Sequence, residues 1–377
     1  MFYSNYDCDF LRLCGLCRYI PTDLHERFNS VIFRKEVISY MQDCKFIKMQ
    51  SDKKSFKLTE KGRNALNDMC WCFKQDARMN INRNGYKRKI DSAKLTILLH
   101  LAGINVFCET LRQLNKSEIG YIVKTEIYNE YEQKPLTNSR FLGLLKIYDT
   151  VYVPYYVEGY DDWMLPNYER ETFMKLINEL KNVRNIKVMI VGENLMDLYQ
   201  NIVCCDYPLE KLDRGKQYFR NALKTLRMDE VWVPLNQLGV LQINIMTILD
   251  YKERVVKALG ATEPPPEYNL CDGIHKNGPV IISLDMNYRR SLPAIKQAVR
   301  IDKDKPAFVI CMKWQEEAYK KCLERYGNLF NVFGVANRDF LKVFKKDIKE
   351  YKAEPYFAHG KMIEMYPSRL NLYDIYE

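Results

Sequence analysis

Two carboxylates and a cation near the carboxy end have the types and spacing for chemistry. Asp272 precedes Gly273 in a turn-forming loop, and Asp285 closes the apolar run Val280–Leu284. Metal-dependent phosphodiester cleavage uses such a pair. The carboxylates hold Mg2+, the ion polarises the phosphate and activates water, and a nearby cation steadies the developing charge. The expected cation is a lysine two residues after the second acid. That position is Asn287 here, and Arg289, two residues further along a continuing strand, is the substitute on the same face. The catalytic candidates are therefore Asp272, Asp285 and Arg289, with Asp272 and Asp285 as metal ligands and Mg2+ as the cofactor if the site is catalytic. A structural assignment competes: Asp272 opens a turn with Gly273 and Asp285 ends a strand. Both stay open, and so does the question of an enzyme. Glu158, Asp161 and Asp162 occupy a comparable earlier place, again without a lysine beside them.

The second set of candidates is basic. Residues 1–90 hold 18 Lys/Arg and 10 Asp/Glu, which is +8 of the chain's formal +10. Clustered positive charge of this kind fits a polyanion, because neutralised phosphates supply most non-specific affinity for nucleic acid. Arg34 and Lys35 lie near the start of a predicted helix over 30–43. Lys53 and Lys54 lie in the polar tip Ser51-Asp52-Lys53-Lys54 of a predicted hairpin, with strands over 46–50 and 55–58. Arg83, Lys87, Arg88 and Lys89 lie in a basic connector over 73–90 that is placed to follow a DNA backbone or to stand as a solvated linker. These eight residues are the DNA-binding candidates, and double-stranded DNA is the expected partner.

The elements that position them follow from the pattern. Cys8–Tyr19 has a helical apolar face, and Leu24–Phe28 is a short second helix. After the hairpin, Thr59 is a helix N-cap with Glu60 in the first turn. Helix, two-stranded hairpin, helix is the plan of a winged helix, in which a helix enters the major groove and a basic tip reaches the backbone. Asp91 and Ser92 are expected to cap a largely apolar helix running to about Leu114, with His100 as a satisfied core group. From Arg140 the pattern becomes α/β. Strands are predicted over 141–148, 150–157, 187–192, 230–233 and 241–248, with helices over 168–180, 195–202 and 250–259. After the linker Glu263-Pro264-Pro265-Pro266, strands over 268–271, 279–284, 307–312 and 329–335 alternate with helices over 292–299 and 315–326. Hairpin, helix, buried strand, helix, strand thus recurs at a domain-sized period, as a tandem duplication of one α/β unit would give. The expected domains are 1–72, a basic and helical connector over 73–137, a first α/β unit over 138–262, a second over 263–350, and a tail over 351–377.

Phe56-Lys57-Leu58-Thr59-Glu60-Lys61-Gly62, followed by Leu98-Leu99-His100-Leu101-Ala102-Gly103-Ile104-Asn105-Val106, resembles the replication-relaxation proteins of conjugative elements and plasmids, relatives of the MobC-type relaxases. Cys271-Asp272-Gly273 and Val280-Ile281-Ile282-Ser283-Leu284-Asp285 resemble that family's acidic pair on a β-hairpin. The resemblance covers both ends of the chain, and residues 140–260 fit loosely. It implies a restriction-endonuclease-like α/β region behind a winged helix. It also implies DNA binding in conjugative transfer or plasmid replication, other transfer or replication proteins as partners, and either a DNA-nicking activity or a core that has lost it. A non-catalytic scaffold or transcriptional regulator is the remaining alternative.

Other chemistries find little support. The four histidines are isolated, which disfavours a histidine-cluster relaxase, and no GxxxxGK[ST] occurs. Tyr288 lies near the acids and is expected to pack. Cys14-x-x-Cys17 and Cys70-x-Cys72 lack a second ligand pair, so buried apolar thiols are expected rather than zinc. Twelve cysteines with no signal peptide fit a reduced, cytoplasmic protein. No run approaches about 18 uncharged apolar residues, so no membrane partner is expected. Oligomeric state is not encoded in any pattern found.

Overall fold

The computed structural model describes residues 5–69, 71, 84–131, 139–159, 162–204, 216–226, 228–348, 356–358 and 361–363. The chain is mixed α/β and divides into two compact units, one built mainly from residues 1–107 and the other mainly from 108–349.

In the first unit, α1 (Asn5–Cys17), β1 (Ile20–Pro21), α2 (Leu24–Phe28) and α3 (Lys35–Asp43) lead into the hairpin β2 (Ile47–Met49) and β3 (Ser55–Leu58). The helix predicted over 30–43 starts late, because Arg34 is extended at φ −60 and ψ 149. The three strands form an antiparallel sheet ordered β1-β3-β2, with Ile20 and Met49 both opposite Phe56. Helix α4 (Glu60–Asp68) follows, and the Thr59 hydroxyl accepts from the Gly62 amide at 3.1 Å, the expected cap. Gly62 is required by contact: a Cβ there would lie 2.2 Å from the Phe46 carbonyl oxygen.

Helix α5 (Asn84–Leu101) departs from expectation at both ends. It starts at Asn84-Gly85, two residues that favour turns over helix, so Asp91 and Ser92 are interior rather than capping. It ends at Leu101, and Gly103 at φ 76 turns the chain out of the helix. His100 sits 3.3 Å from the buried Asp9 carboxylate, a partnered group on a core helix.

The second unit holds two mixed sheets over one continuous apolar core. The first is built from α6 (Leu111–Lys116), β4 (Ile119–Val123), α7 (Lys124–Tyr131), β5 (Gly143–Ile147) and β6 (Thr150–Tyr156). It continues through the short strand β7 (Trp163–Met164), α8 (Pro166–Glu179), β8 (Asn185–Gly192) and α9 (Leu195–Tyr199). The short strand β9 (Gln217–Tyr218), which pairs with β7 as a separate two-stranded ribbon, then α10 (Phe219–Leu226) and finally β10 (Glu230–Pro234) follow. Its five long strands are ordered β10-β8-β6-β5-β4; β4, β5 and β6 run antiparallel in turn, and β6, β8 and β10 run parallel. Val188–Val191 are wholly buried, as strands covered on both faces must be.

Two helices join the halves, α11 (Gln237–Met246) and α12 (Tyr251–Ala258). The strand predicted over 241–248 is overturned by α11, whose residues from Gly239 to Met246 are all buried. A helix buried all round has no apolar stripe, and its sequence reads as a buried strand. The second sheet contains β11 (Gly273–His275), β12 (Gly278–Ile282), α13 (Tyr288–Ile301), β13 (Ala307–Met312), α14 (Glu316–Leu323) and β14 (Phe330–Val335), followed by α15 (Asn337–Phe344). The strand expected over 268–271 is instead a short turn of helix over Pro266–Tyr268, and the strand begins at Gly273. Strand order is β11-β12-β13-β14, a hairpin followed by parallel neighbours. The expected recurrence of hairpin, helix, buried strand, helix, strand is present in both halves, the later strands pair in parallel, and the corresponding helices α9 and α14 pack on each other.

Candidate functional site

The first unit displays the basic candidates. Arg34 and Lys35 are exposed at the amino end of α3, and Lys53 and Lys54 are exposed at the hairpin tip. The tip is shaped by local bonds. Lys53 takes φ 59, its amide donates to the Gln50 carbonyl at 3.0 Å, and the Lys54 amide donates to Asp52 Oδ1 at 3.1 Å. Met41 anchors α3 in the core, which leaves Lys35, Glu36, Ser39, Gln42 and Asp43 facing outward. That outward face is mixed in charge, so positive potential comes from the helix start and the tip.

The end of the basic connector is joined to this hairpin, which composition did not reveal. Tyr86, in the first turn of α5, is buried. Its hydroxyl donates to Asp52 Oδ1 at 3.2 Å and shares a 2.7 Å hydrogen bond with Ser55 Oγ. Burial raises its pKa to about 12. Lys87 beside it is exposed, and Arg88 and Lys89 are half-buried. Arg83 lies outside the described residues, as do both cysteines of the Cys70-x-Cys72 pair. Cys14 and Cys17 are buried thiols, both raised by burial, and Cys17 is hydrogen-bonded to Thr96.

In the second unit, Asp272 is cross-tied. Its Oδ1 accepts from Arg290 Nη2 at 2.6 Å and lies 3.8 Å from Lys252 Nζ; its Oδ2 accepts from the Ile282 amide at 2.7 Å. Arg290 also donates to the Ile282 carbonyl at 3.1 Å. One guanidinium and one carboxylate thus clamp the start of β11 to the end of β12. Asp285 lies in the buried loop that follows, which Gln242 and Gln315 hold by donating to the Asp285 and Leu284 carbonyls at 2.9 Å each. Met286 in this loop is left-handed at φ 57. The charges of both acids reach Lys252 and Arg290. Burial lowers the Lys252 pKa against their pull, while their pull on Arg290 outweighs its burial and raises its pKa.

Arg289 does not join this cluster, which corrects the assignment made from strand parity. Asn287 caps α13, so the chain is helical from Tyr288 and the phase of neighbouring side chains changes. Arg289 points to β10, pairing with buried Glu230 at 3.0 Å and donating to the Met228 carbonyl at 3.2 Å. The cations near Asp272 are Arg290 and Lys252, the latter reaching it from another helix. Asp272 already accepts from Arg290 on one oxygen and from the Ile282 amide on the other, so a Mg2+ ion on Asp272 would share that carboxylate with a guanidinium. Among the described residues no three His, Cys, Asp or Glu side chains gather to hold a metal.

A further polar site lies at the first sheet. Glu169 on α8 is fully buried; its Oε2 accepts from the Tyr155 hydroxyl at 2.7 Å and its Oε1 from the Arg140 amide at 2.5 Å. Burial lifts its pKa to about 7, against the pull of Tyr155, the Arg140 amide, Lys124 and the Arg140 charge. The Arg140 guanidinium stacks 4.6 Å from the Trp163 ring and lies 3.8 Å from Asp162, with Lys216 Nζ 4.0 Å from the same ring. Of the earlier acids, Asp162 accepts from the Glu158 and Gly159 amides, and Asp161 lies outside the described residues. Glu169 was legible in principle, since it falls in the buried stripe that includes Phe173, Leu176 and Leu180.

No described helix is long and apolar enough to cross a membrane. In comparisons with family models, curated proteins and solved structures, nothing matches this chain.

Proposed function

We propose that the chain binds double-stranded DNA through its first unit, a winged helix, with α3 toward the major groove and the β2–β3 tip toward the backbone. The carrying observation is that Arg34, Lys35, Lys53 and Lys54 are all exposed on one small module whose hairpin is completed by β1. The strand order β1-β3-β2 between helices supports the winged-helix assignment, and the mixed sheets with a hairpin followed by parallel strands support a restriction-endonuclease-like second unit. Action in transfer or replication of a mobile element follows from the sequence resemblance. Nicking through Asp272 and Asp285 is not part of the proposal, because Arg290 and Lys252 already neutralise Asp272.

The test is a salt titration of full-length protein on labelled duplex DNA. Lys53→Ala with Lys54→Ala is expected to weaken binding. The slope of log affinity against log salt should flatten by about 1.8, at roughly 0.9 per phosphate contact. Binding by the parent that the double substitution leaves unchanged would reject the tip as a contact.

A further inference from the structure

We infer that the chain pairs with a second copy of itself through β14, edge to edge and antiparallel about a two-fold axis at Phe333, so that the second sheets of the two copies become one. This surface is independent of the DNA-binding proposal above.

The outer strands of the second unit are treated unequally. All five residues of β10 are buried, β4 is buried from Gly120 to Val123, and β11 is bridged at Ile274 by Thr262. Among the described strands β14 pairs with β13 alone, and Asn331 and Phe333 on it are exposed, Phe333 by 51%. An open edge is a template for another strand, and proteins that stay single blunt it with lysine, proline, a bulge or a cover. β14 has no such device: Phe330–Val335 is uncharged, and its register with β13 runs unbroken over all six residues.

The chemistry of the strand selects a copy of itself. An uncharged edge does not repel its own kind, and pairing about a two-fold axis closes at two chains. The Phe333 carbonyl turns toward β13, where it accepts from Cys311 Sγ at 3.8 Å, so its neighbours Val332 and Gly334 direct their backbone groups outward. When Val332 of each copy exchanges those groups with Gly334 of the other, Phe333 falls opposite Phe333 in a pair without hydrogen bonds, where side chains come closest. Phe333 already lies against Phe308, with ring centroids 5.5 Å apart, so the join makes a row of four rings across the sheet.

Charge on the neighbouring helix agrees with this pairing. α14 crosses between two parallel strands and so runs antiparallel to them, and the two-fold axis sets its copies antiparallel on one side of the joined sheet. Its first turn holds Glu316 and Glu317 and its last turn Lys320 and Lys321. Glu316 is tied within the chain to Lys313 and Lys320. Glu317 and Lys321 are exposed with no ion pair among the described residues, and antiparallel copies bring the acid of one toward the base of the other.

Sedimentation of the full chain over a range of concentrations tests this, and a reversible dimer is expected. Phe333→Lys sets two ammonium groups opposite each other at the axis and should abolish the dimer. Asn331→Lys, at an exposed position, should weaken it while leaving the circular-dichroism spectrum unchanged. Glu317→Lys alone should weaken association, and Glu317→Lys with Lys321→Glu should restore it, which a merely damaged fold would not allow. A parent that sediments as one chain at every concentration overturns the inference and leaves the edge to a strand of a different protein. A dimer that survives both lysine substitutions on β14 also overturns it, and puts self-association on another surface.

Discussion

Replacing Glu169 with Gln tests whether a buried acid in the second unit makes stability depend on pH. In the unfolded chain its carboxyl titrates near 4.5, and in the folded chain near 7, because burial disfavours the charged form more than Tyr155, Arg140 and Lys124 favour it. The sign follows from proton binding. Between these values the folded chain holds the proton and the unfolded chain releases it, so stability falls as pH rises. The contribution is fully present below about 4.5, is lost as pH rises through about 7, and stays lost above. A difference of about 2.5 units at about 1.36 kcal/mol each gives roughly 3 kcal/mol. Gln keeps the shape and an acceptor oxygen for the Arg140 amide without titrating. Urea unfolding of parent and Glu169→Gln should therefore be compared from mildly acidic to mildly alkaline pH, using the difference between the two so that other groups cancel. The parent should lose about 3 kcal/mol relative to the variant across the window. A difference that stays flat with pH would refute the buried-acid argument, and one that moves the opposite way would mean the folded carboxylate is stabilised instead.

Removing one partner of the Asp272–Arg290 clamp should cost the second unit about 3 kcal/mol, because Arg290→Met leaves a mostly buried carboxylate with the Ile282 amide and with Lys252 at 3.8 Å. A double-mutant cycle with Asp272→Asn should recover a coupling of about 1 to 3 kcal/mol by chemical denaturation, and additive effects would count against the clamp. Gly62→Ala should destabilise the first unit by about 2 kcal/mol or more. Its new Cβ would press on the backbone oxygen of Phe46, which has no flexible side chain to give way. Thermal unfolding reads the loss, and a neutral substitution would show that α4 can move.

Much of the first unit could be read from its residues because local signals agreed there. The hairpin alternates in period two around a polar tip, and Thr59 followed by Gly62 has a local cause, one capping the helix and the other letting it approach Phe46. The start of α5 was not legible, because Asn84 and Gly85 favour a break while Tyr86 gains partners on Ser55, Asp52 and Tyr19, contacts made far along the chain. In the second unit the α/β alternation was legible from short β-branched runs, but α11 was not, since burial on every side removes the periodicity that distinguishes helix from strand. β4 was missed for a different reason: it is followed immediately by α7, so one segment mixes both periods.

The two halves of the second unit place opposite chemistry at the same corner. In the first, a charged residue early in the helix after the hairpin, Glu169, reaches back to the Arg140 amide, just before β5. In the second, Arg290 occupies the corresponding early turn and reaches back to Asp272, just before β11. The connection is alike and the sign is inverted. A corner that serves a divalent ion must keep carboxylate lone pairs free for it. Here the acid pattern of the second half is satisfied from within by a guanidinium, and the first half offers one buried carboxyl whose pKa near 7 leaves it half protonated at neutral pH. Each corner ties its hairpin to the following helix, so both act first on stability. This ordering of causes is why the DNA proposal rests on the first unit, where Arg34, Lys35, Lys53 and Lys54 are exposed, and not on the acids whose spacing first suggested cleavage.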